Sequence, residues 1–298
     1  MFDSFCGQLK SLKCEFSEYK NLKNVSTIKI DTIARCLVYP NNEDELIAII
    51  NALSRNNIPF VVLGRLSNVL FRDSFYNGIV IKTDKICRKN IAENAISLQC
   101  GCRPRLVMEH LSESNKGGFE GLWGIPGSLG GMIRQNAGAF GYTISDCLID
   151  CFVYNISDGQ AYTLDKSDMK FAYRSSLLSD KKYILLSARF KPKEKSKSDI
   201  VEEVRAYAKI RKETQPTAVH SLGCIFKQAS GKSAGYYIDH VGLKGYAVGG
   251  ARVSDKHAGF IVNTGDATSD DVLALIEIIK FKVLREFGVE LEEEIEII

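Results

Sequence analysis

No stretch of this 298-residue chain approaches the roughly 20 consecutive apolar residues that a membrane-spanning helix needs. The longest apolar region, 272–287, is broken by Glu277, Lys280, Lys282, Arg285 and Glu286. The opening residues, MFDSFCGQLK, carry an acid at Asp3 and lack the apolar core of a secretory signal. A soluble, cytoplasmic protein without a membrane partner is therefore expected. An excess of one charge is lacking too. The 39 basic and 36 acidic residues leave a net +3, too little to point to nucleic acid, though a local basic pocket for a small anion remains open. The nine cysteines contain no CxxC pair and no even, regular spacing, so neither a structural zinc site nor a disulfide framework is expected. There is no G-x-G-x-x-G after a strand and no Walker A sequence, so any nucleotide must be held by another kind of fold. Repeats and low-complexity tracts are absent as well.

What is present is ordinary globular material, 45% hydrophobic and 25% charged, long enough for two or three domains. Residues 34–40 and 58–64 read as strands flanking a helix over 42–53, with Asn42 as its N-cap and Leu46, Ile49, Ile50 and Leu53 on its apolar face. Further strands are predicted at 78–83, 95–101 and 183–190, a helix at 104–111, and a hairpin of 148–155 with 161–164 around Ser157-Asp158-Gly159. The polar run 191–198 is a candidate boundary, followed by a helix over 199–212 that Pro216 terminates. Near the end, Thr268 to Asp271 offers a capping box to a helix whose apolar face reads Leu273, Ile276, Phe281 and Leu284. Gly288 stops that helix, and 289–298 reads as a last strand. The fold class is α+β.

Two segments could cradle phosphates, Gly64-Arg65-Leu66-Ser67-Asn68 and the run from Gly124 to Gly131. Glycines allow close backbone approach and let successive N–H groups face an anion. Ser67, Asn68 and Ser128 add side-chain donors. The whole segment 117–141 holds nine glycines, so it must be largely loop and turn. A glycine-rich turn can equally serve the fold alone.

With their neighbours these segments become specific. The run 124–141, GIPGSLGGMIRQNAGAFG, resembles the signature loop of the UDP-N-acetylenolpyruvoylglucosamine reductase (MurB) family. FAYRSSL at 171–177 resembles its YR-x-S motif, and RKETQPTAVHSLGCIFK at 211–227 its R-x(3)-QP and G-[SC]-x-F-K segment. SAGYYIDHVGLKG, GGARVSDKHAGFIVN and the terminal GVELEEE follow in the family's order, so that the likeness spans most of 34–298. It is similar to the compact type II branch, since no large insertion separates Phe226 from Asn263.

The resemblance implies a two-lobed FAD-binding unit of the vanillyl-alcohol-oxidase (PCMH) type over 1–194, with lobes of about 1–83 and 84–194. It also implies a smaller C-terminal α/β substrate-binding domain over 195–298, whose strand 289–298 reaches the active site. FAD is the implied cofactor, NADPH the reductant, UDP-N-acetylglucosamine-enolpyruvate the substrate, and the protein is expected to act as a monomer. Cofactor contacts carry over to Gly64, Ser67, Asn68, Gly124, Ile125, Pro126, Gly127, Ser128, Gly130, Gly131, Asn136 and Gly138. Substrate contacts carry over to Tyr173, Lys227 and Gln228. Arg174 matches the catalytic arginine, which suits a developing carboxylate charge because a guanidinium stays charged and donates two parallel hydrogen bonds. Cys224 stands where the family usually has a serine proton donor, and a thiol is the stronger acid. Glu294 matches the catalytic glutamate, with Glu292 as the alternative register because Glu293 replaces the family's proline. Arg65-Leu66 and Gln228-Ala229 also depart from the family, which often has two glycines at the first pair and Asn-Pro at the second. The four histidines are expected to be structural. Two other readings stay open at this point: a sugar-acid or lactone oxidase of the same superfold, and an inactive flavin or UDP-sugar binding protein.

Overall fold

The computed structural model describes residues 2–92 and 95–298. The chain divides into two compact units: 1–18, 36–65 and 77–209 form the first, and 19–35, 66–76 and 210–298 the second. This differs from the expected division at 194/195. The run 191–198 is no boundary. Lys193–Glu194 pairs antiparallel with Lys116–Gly117 inside the first unit, and the helix Lys197–Thr214 begins within the run. Two short early segments join the C-terminal residues, which local composition cannot reveal.

The first unit rests on a five-stranded sheet, antiparallel throughout, in the order Gln160–Asp165, Leu148–Asn155, Tyr183–Phe190, Ile96–Gln99, Lys89–Ile91. The expected hairpin forms its edge. A second sheet runs Glu15–Asn21, Ile33–Tyr39, Phe75–Lys82, Phe60–Leu63, the last pair being parallel. The strand after the first glycine loop thus inserts between the two strands of the expected β-α-β unit. The intervening helix, Glu43–Arg55, begins as predicted: the Asn42 side chain accepts from the Glu45 N–H at 2.9 Å, and Leu46, Ile49, Ile50 and Leu53 are buried. These residues join Cys36, Val38, Ile79, Ile81, Leu98, Val153 and Phe190 in one continuous core.

The helix Lys197–Thr214 fully buries only Ile200 among its residues, while Val201, Val204, Tyr207 and Ala208 are half-buried. Polar and aromatic contacts hold its first-unit part. Tyr207 stacks on Phe140 at 4.5 Å, and the Tyr207 and Tyr142 hydroxyls both donate to Glu203, which also pairs with Lys195. Helix and glycine-rich segment are thereby tied at 140–142.

The second unit has its own core, in which Leu222, Ile225, Ile238, Val253, Ile261 and Ile276 take part. Its four-stranded antiparallel sheet runs His220–Cys224, Phe260–Asn263, Ala251–Val253, Ala247–Val248. The long helix Ser269–Phe287 starts at the predicted Thr268–Asp271 capping box and ends at Gly288, whose φ of 65° is left-handed. Its buried face is Val272, Leu275, Ile276, Ile279 and Val283; Phe281 is 63% exposed and Leu284 45%. The predicted face was rotated: the 3-4-7 spacing from Val272 competes with the one chosen, and only packing decides between them. The tail is not one strand. Residues 292–294 run beside 225–227, whereas Glu296–Ile297 pairs in parallel with Val69–Leu70. No helix among the described residues is long and apolar enough to cross a membrane.

Candidate active site

In the first unit the two glycine loops meet. A Cβ on Gly64 would overlap the Ser128 hydroxyl, so the approach requires glycine. The Gly64 carbonyl accepts from the Lys82 ammonium, which is buried and sits 2.8 Å from Asp84. Burial lowers the Lys82 pKa, and the Asp84 carboxylate opposes that shift. In the second loop Gly124 and Gly127 have φ of 79° and 151°, values that side chains resist. Gly124, Pro126 and Gly131 are exposed and Ile125 and Gly127 half-buried, leaving an open face. The Gly130 N–H donates to the Cys100 carbonyl at 2.8 Å and that of Leu129 to Cys102, which anchors the loop.

Asn136 and Arg174 are brought together from positions far apart in sequence. The Asn136 amide donates to the Ala172 carbonyl at 3.1 Å, and the Arg174 guanidinium to the Gly138 carbonyl at 3.4 Å. Ala172 and Ser175 bond reciprocally across a two-residue turn, Tyr173-Arg174. Arg174 has φ 53° and Asn136 φ 40°, both left-handed, which for a non-glycine residue costs about 1–2 kcal/mol. Ser176 ties the turn down by donating to the Arg134 carbonyl at 3.0 Å. The guanidinium lies 5.1 Å from the centre of the exposed Tyr173 ring. The Asn136 Oδ1 is buried without a hydrogen-bond partner. This orphan acceptor and the Gly64–Ser128 cradle are what a flavin dinucleotide, with its N–H donors and its diphosphate, can use.

In the second unit Cys224 ends its strand opposite Phe260, half-buried, just after the left-handed Gly223. The next residue, Ile225, accepts from the Glu294 N–H at 2.7 Å, so strand pairing sets Glu294 beside the thiol-bearing strand. Glu292 is exposed and ion-paired with Lys227, and Glu293 pairs with Lys280 at 2.9 Å. Glu294 is half-buried. Lys227, expected on substrate, is held by Glu292; Gln228 is exposed and opens the tight turn to Lys232. The Asn68 amide donates to the Glu294 carbonyl at 2.9 Å and so supports the terminal segment. Ser67 beside it is half-buried, and Leu66 keeps the left-handed φ of 50° suited to the family's glycine.

Arg211 was not singled out by sequence reasoning. Burial lowers its pKa, and the charge of Cys224 acts against that shift. Its place in the R-x(3)-QP run was the available signal. Burial lowers the His257 pKa, and its Nδ1 accepts from the Gly259 N–H at 3.1 Å. No group of His, Cys, Asp or Glu among the described residues could hold a metal.

Fold and loops together define an FAD flavoprotein with a separate second unit. Residues 34–165 match the FAD binding domain family, and 215–298 match the UDP-N-acetylenolpyruvoylglucosamine reductase C-terminal domain. The chain is 42% identical to the UDP-N-acetylenolpyruvoylglucosamine reductase of Caldicellulosiruptor saccharolyticus, over 97% of this chain and 94% of that one. It is 37% identical to the same enzyme of Caldanaerobacter subterraneus subsp. tengcongensis, over 100% and 99%. The crystal structure of the reductase from Thermus caldophilus superposes with a TM-score of 0.80 at 30% identity, covering 95% of this chain and 98% of that one. A berberine bridge enzyme reaches a TM-score of 0.50 at 13% identity over 65% of this chain and 44% of that one, a likeness of fold alone. The chain belongs to the UDP-N-acetylenolpyruvoylglucosamine reductase family.

Proposed function

We propose that this protein reduces UDP-N-acetylglucosamine-enolpyruvate to UDP-N-acetylmuramate, with FAD as cofactor and NADPH as reductant, in the synthesis of peptidoglycan precursors. The observation that carries this reading is the full-length likeness to reductases of that name, combined with Arg174, Cys224 and Glu294 in the family's motifs. The first unit binds FAD and the second binds substrate. The enzyme works in the cytoplasm as a monomer, without nucleic acid or membrane.

FAD held by these loops would supply the two-electron chemistry that links NADPH to the enolpyruvyl double bond. The chain's own residues handle charge and proton. The Arg174 guanidinium holds the substrate carboxylate through paired N–H donors and stabilises the negative charge that builds there. Its tight turn fixes the fork against the Gly138 carbonyl. The Cys224 thiol gives its proton to the carbon adjacent to the reduced one, and the resulting thiolate is balanced by the positive charge of Arg211. The thiol then regains a proton from solvent. Glu294 polarises the carboxyl group. Gly64, Ser67, Gly124, Ile125, Pro126, Gly127, Ser128, Gly131, Asn136 and Gly138 line the cofactor, and Tyr173, Lys227 and Gln228 the nucleotide sugar.

The test is anaerobic visible spectroscopy of the purified protein. NADPH should bleach the flavin, and the colour should return only when the enolpyruvyl substrate is added. If NADPH has no effect, or the enolpyruvyl compound does not restore the colour, the reading fails.

A further inference from the structure

The rim of the first glycine loop carries charges that the roles above leave unused. Lys82 is only 3% exposed, and its ammonium is shared between the Gly64 carbonyl and the Asp84 carboxylate, so its charge is already matched. Arg65 is the next residue along the loop. Its guanidinium stands 3.9 Å from Asp84, beyond hydrogen-bond length, and 37% of its side chain is exposed. Among the described residues it donates no hydrogen bond to the chain. Arg103, at the N-cap of the helix Pro104–Glu113, weighs on Lys82 electrostatically together with Arg65. Arg103 directly follows Cys102, whose carbonyl anchors the second loop through the Leu129 N–H. Lys82 and Arg65 thus share one carboxylate, Asp84, where the two glycine loops touch at Gly64 and Ser128.

A surplus of positive charge with an open, unsatisfied guanidinium calls for an anion of matching geometry. Arginine presents planar pairs of donors that fit phosphate oxygens, and carboxylate Asp84 is already taken by Lys82. We propose that Arg65 is a binding residue for the diphosphate of the flavin dinucleotide. The proposal rests on the FAD reading of these loops. Asp84 acts as a positioning residue that keeps the guanidinium over the loop, and Lys82 fixes the Gly64 carbonyl beneath it.

The experiment follows FAD release from the full-length holoenzyme after dilution, read as the rise of free flavin fluorescence at low and at high ionic strength. Wild type, Arg65→Gly, Arg65→Gln, Arg65→Lys and the distant exposed control Lys166→Ala are compared. Loss of one charge-assisted contact should speed release from Arg65→Gly and Arg65→Gln roughly ten- to hundredfold at low ionic strength. The gap should narrow in high salt, Arg65→Lys should fall between, and Lys166→Ala should match wild type. Riboflavin, which lacks the diphosphate, should bind the flavin-stripped full-length chains equally well. Equal release from wild type and both uncharged variants overturns the proposal. So does an unchanged release rate with a raised KM for NADPH, which would assign the guanidinium to a phosphate of the reductant. Failure of the underlying FAD reading shows separately, as wild-type protein that neither carries nor binds FAD.

Discussion

The two units hold their candidate functional groups by different physical means. In the first, Gly127, Asn136 and Arg174 occupy left-handed backbone, and Gly64 is pressed against Ser128. Geometry is fixed by tight turns whose conformations few residues tolerate. In the second, the places of Cys224, Lys227 and Glu294 follow from which residue pairs with which. Strain localises in a turn, so damage there stays local. Register is collective, because a slip of one residue would exchange every side chain between the two faces of the strand.

Substitutions can test this contrast, beginning with the largest expected effect. Cys224→Ala should lower substrate turnover on the order of 10²–10⁴-fold while NADPH still bleaches the flavin at the wild-type rate in stopped-flow traces. Slow bleaching in this variant would place the thiol on the wrong half-reaction. Arg174→Gly is the matching change in the first unit. Glycine accepts the φ of 53°, so FAD content and thermal stability should hold while kcat/KM falls on the order of 10²–10³-fold. Wholesale loss of flavin would mean that the turn depends on the side chain. Gly64→Ala should cost about 1–3 kcal/mol by overpacking, seen as a lower Tm, and adding Ser128→Gly should recover much of it. An unshifted Tm would deny that the loops touch. In the second unit, Ile279→Ala should cost about 2–5 kcal/mol in denaturant titration, against less than about 0.5 kcal/mol for Phe281→Ala, since only Ile279 faces the core.

Alkaline pH should separate the units most gently. Burial pushes the thiols of Cys36, Cys100 and Cys151 up to about 12 and those of Cys14 and Cys102 to about 11, from an ordinary 9.0. All five belong to the first unit. The folded state therefore keeps protons that the unfolded state gives up. The stability involved is fully present below pH 9.0 and is lost as pH rises through the folded values. Limited proteolysis across that window should open the first unit before the second. Earlier cleavage within 210–298 would contradict this.

Much of the molecule was legible in its residues wherever the signal is local. The Asn42 cap, the Thr268 box, the Gly288 stop and the strand Tyr183–Phe190 lie where short-range chemistry placed them. The motifs around Arg174 and Cys224 were legible by likeness to a family. What stayed hidden depends on distant partners. Nothing near Asn68 announces that its amide serves Glu294, and nothing near Gly130 shows that Cys100 claims its N–H. The face of the helix Ser269–Phe287 was misjudged because two apolar stripes compete and neighbours choose between them. The run 191–198 looked like a linker because its polarity was visible and its pairing with Lys116–Gly117 was not.

The bond between Asn68 and Glu294 spans 226 positions of sequence. Closing so wide a loop is slow, and its entropy must be met before the contact offers any return. On the ribosome, the segment 66–72 emerges early and must wait for 294–298 before its polar groups are satisfied. The far half of the first glycine loop is thus among the last parts of the protein to mature.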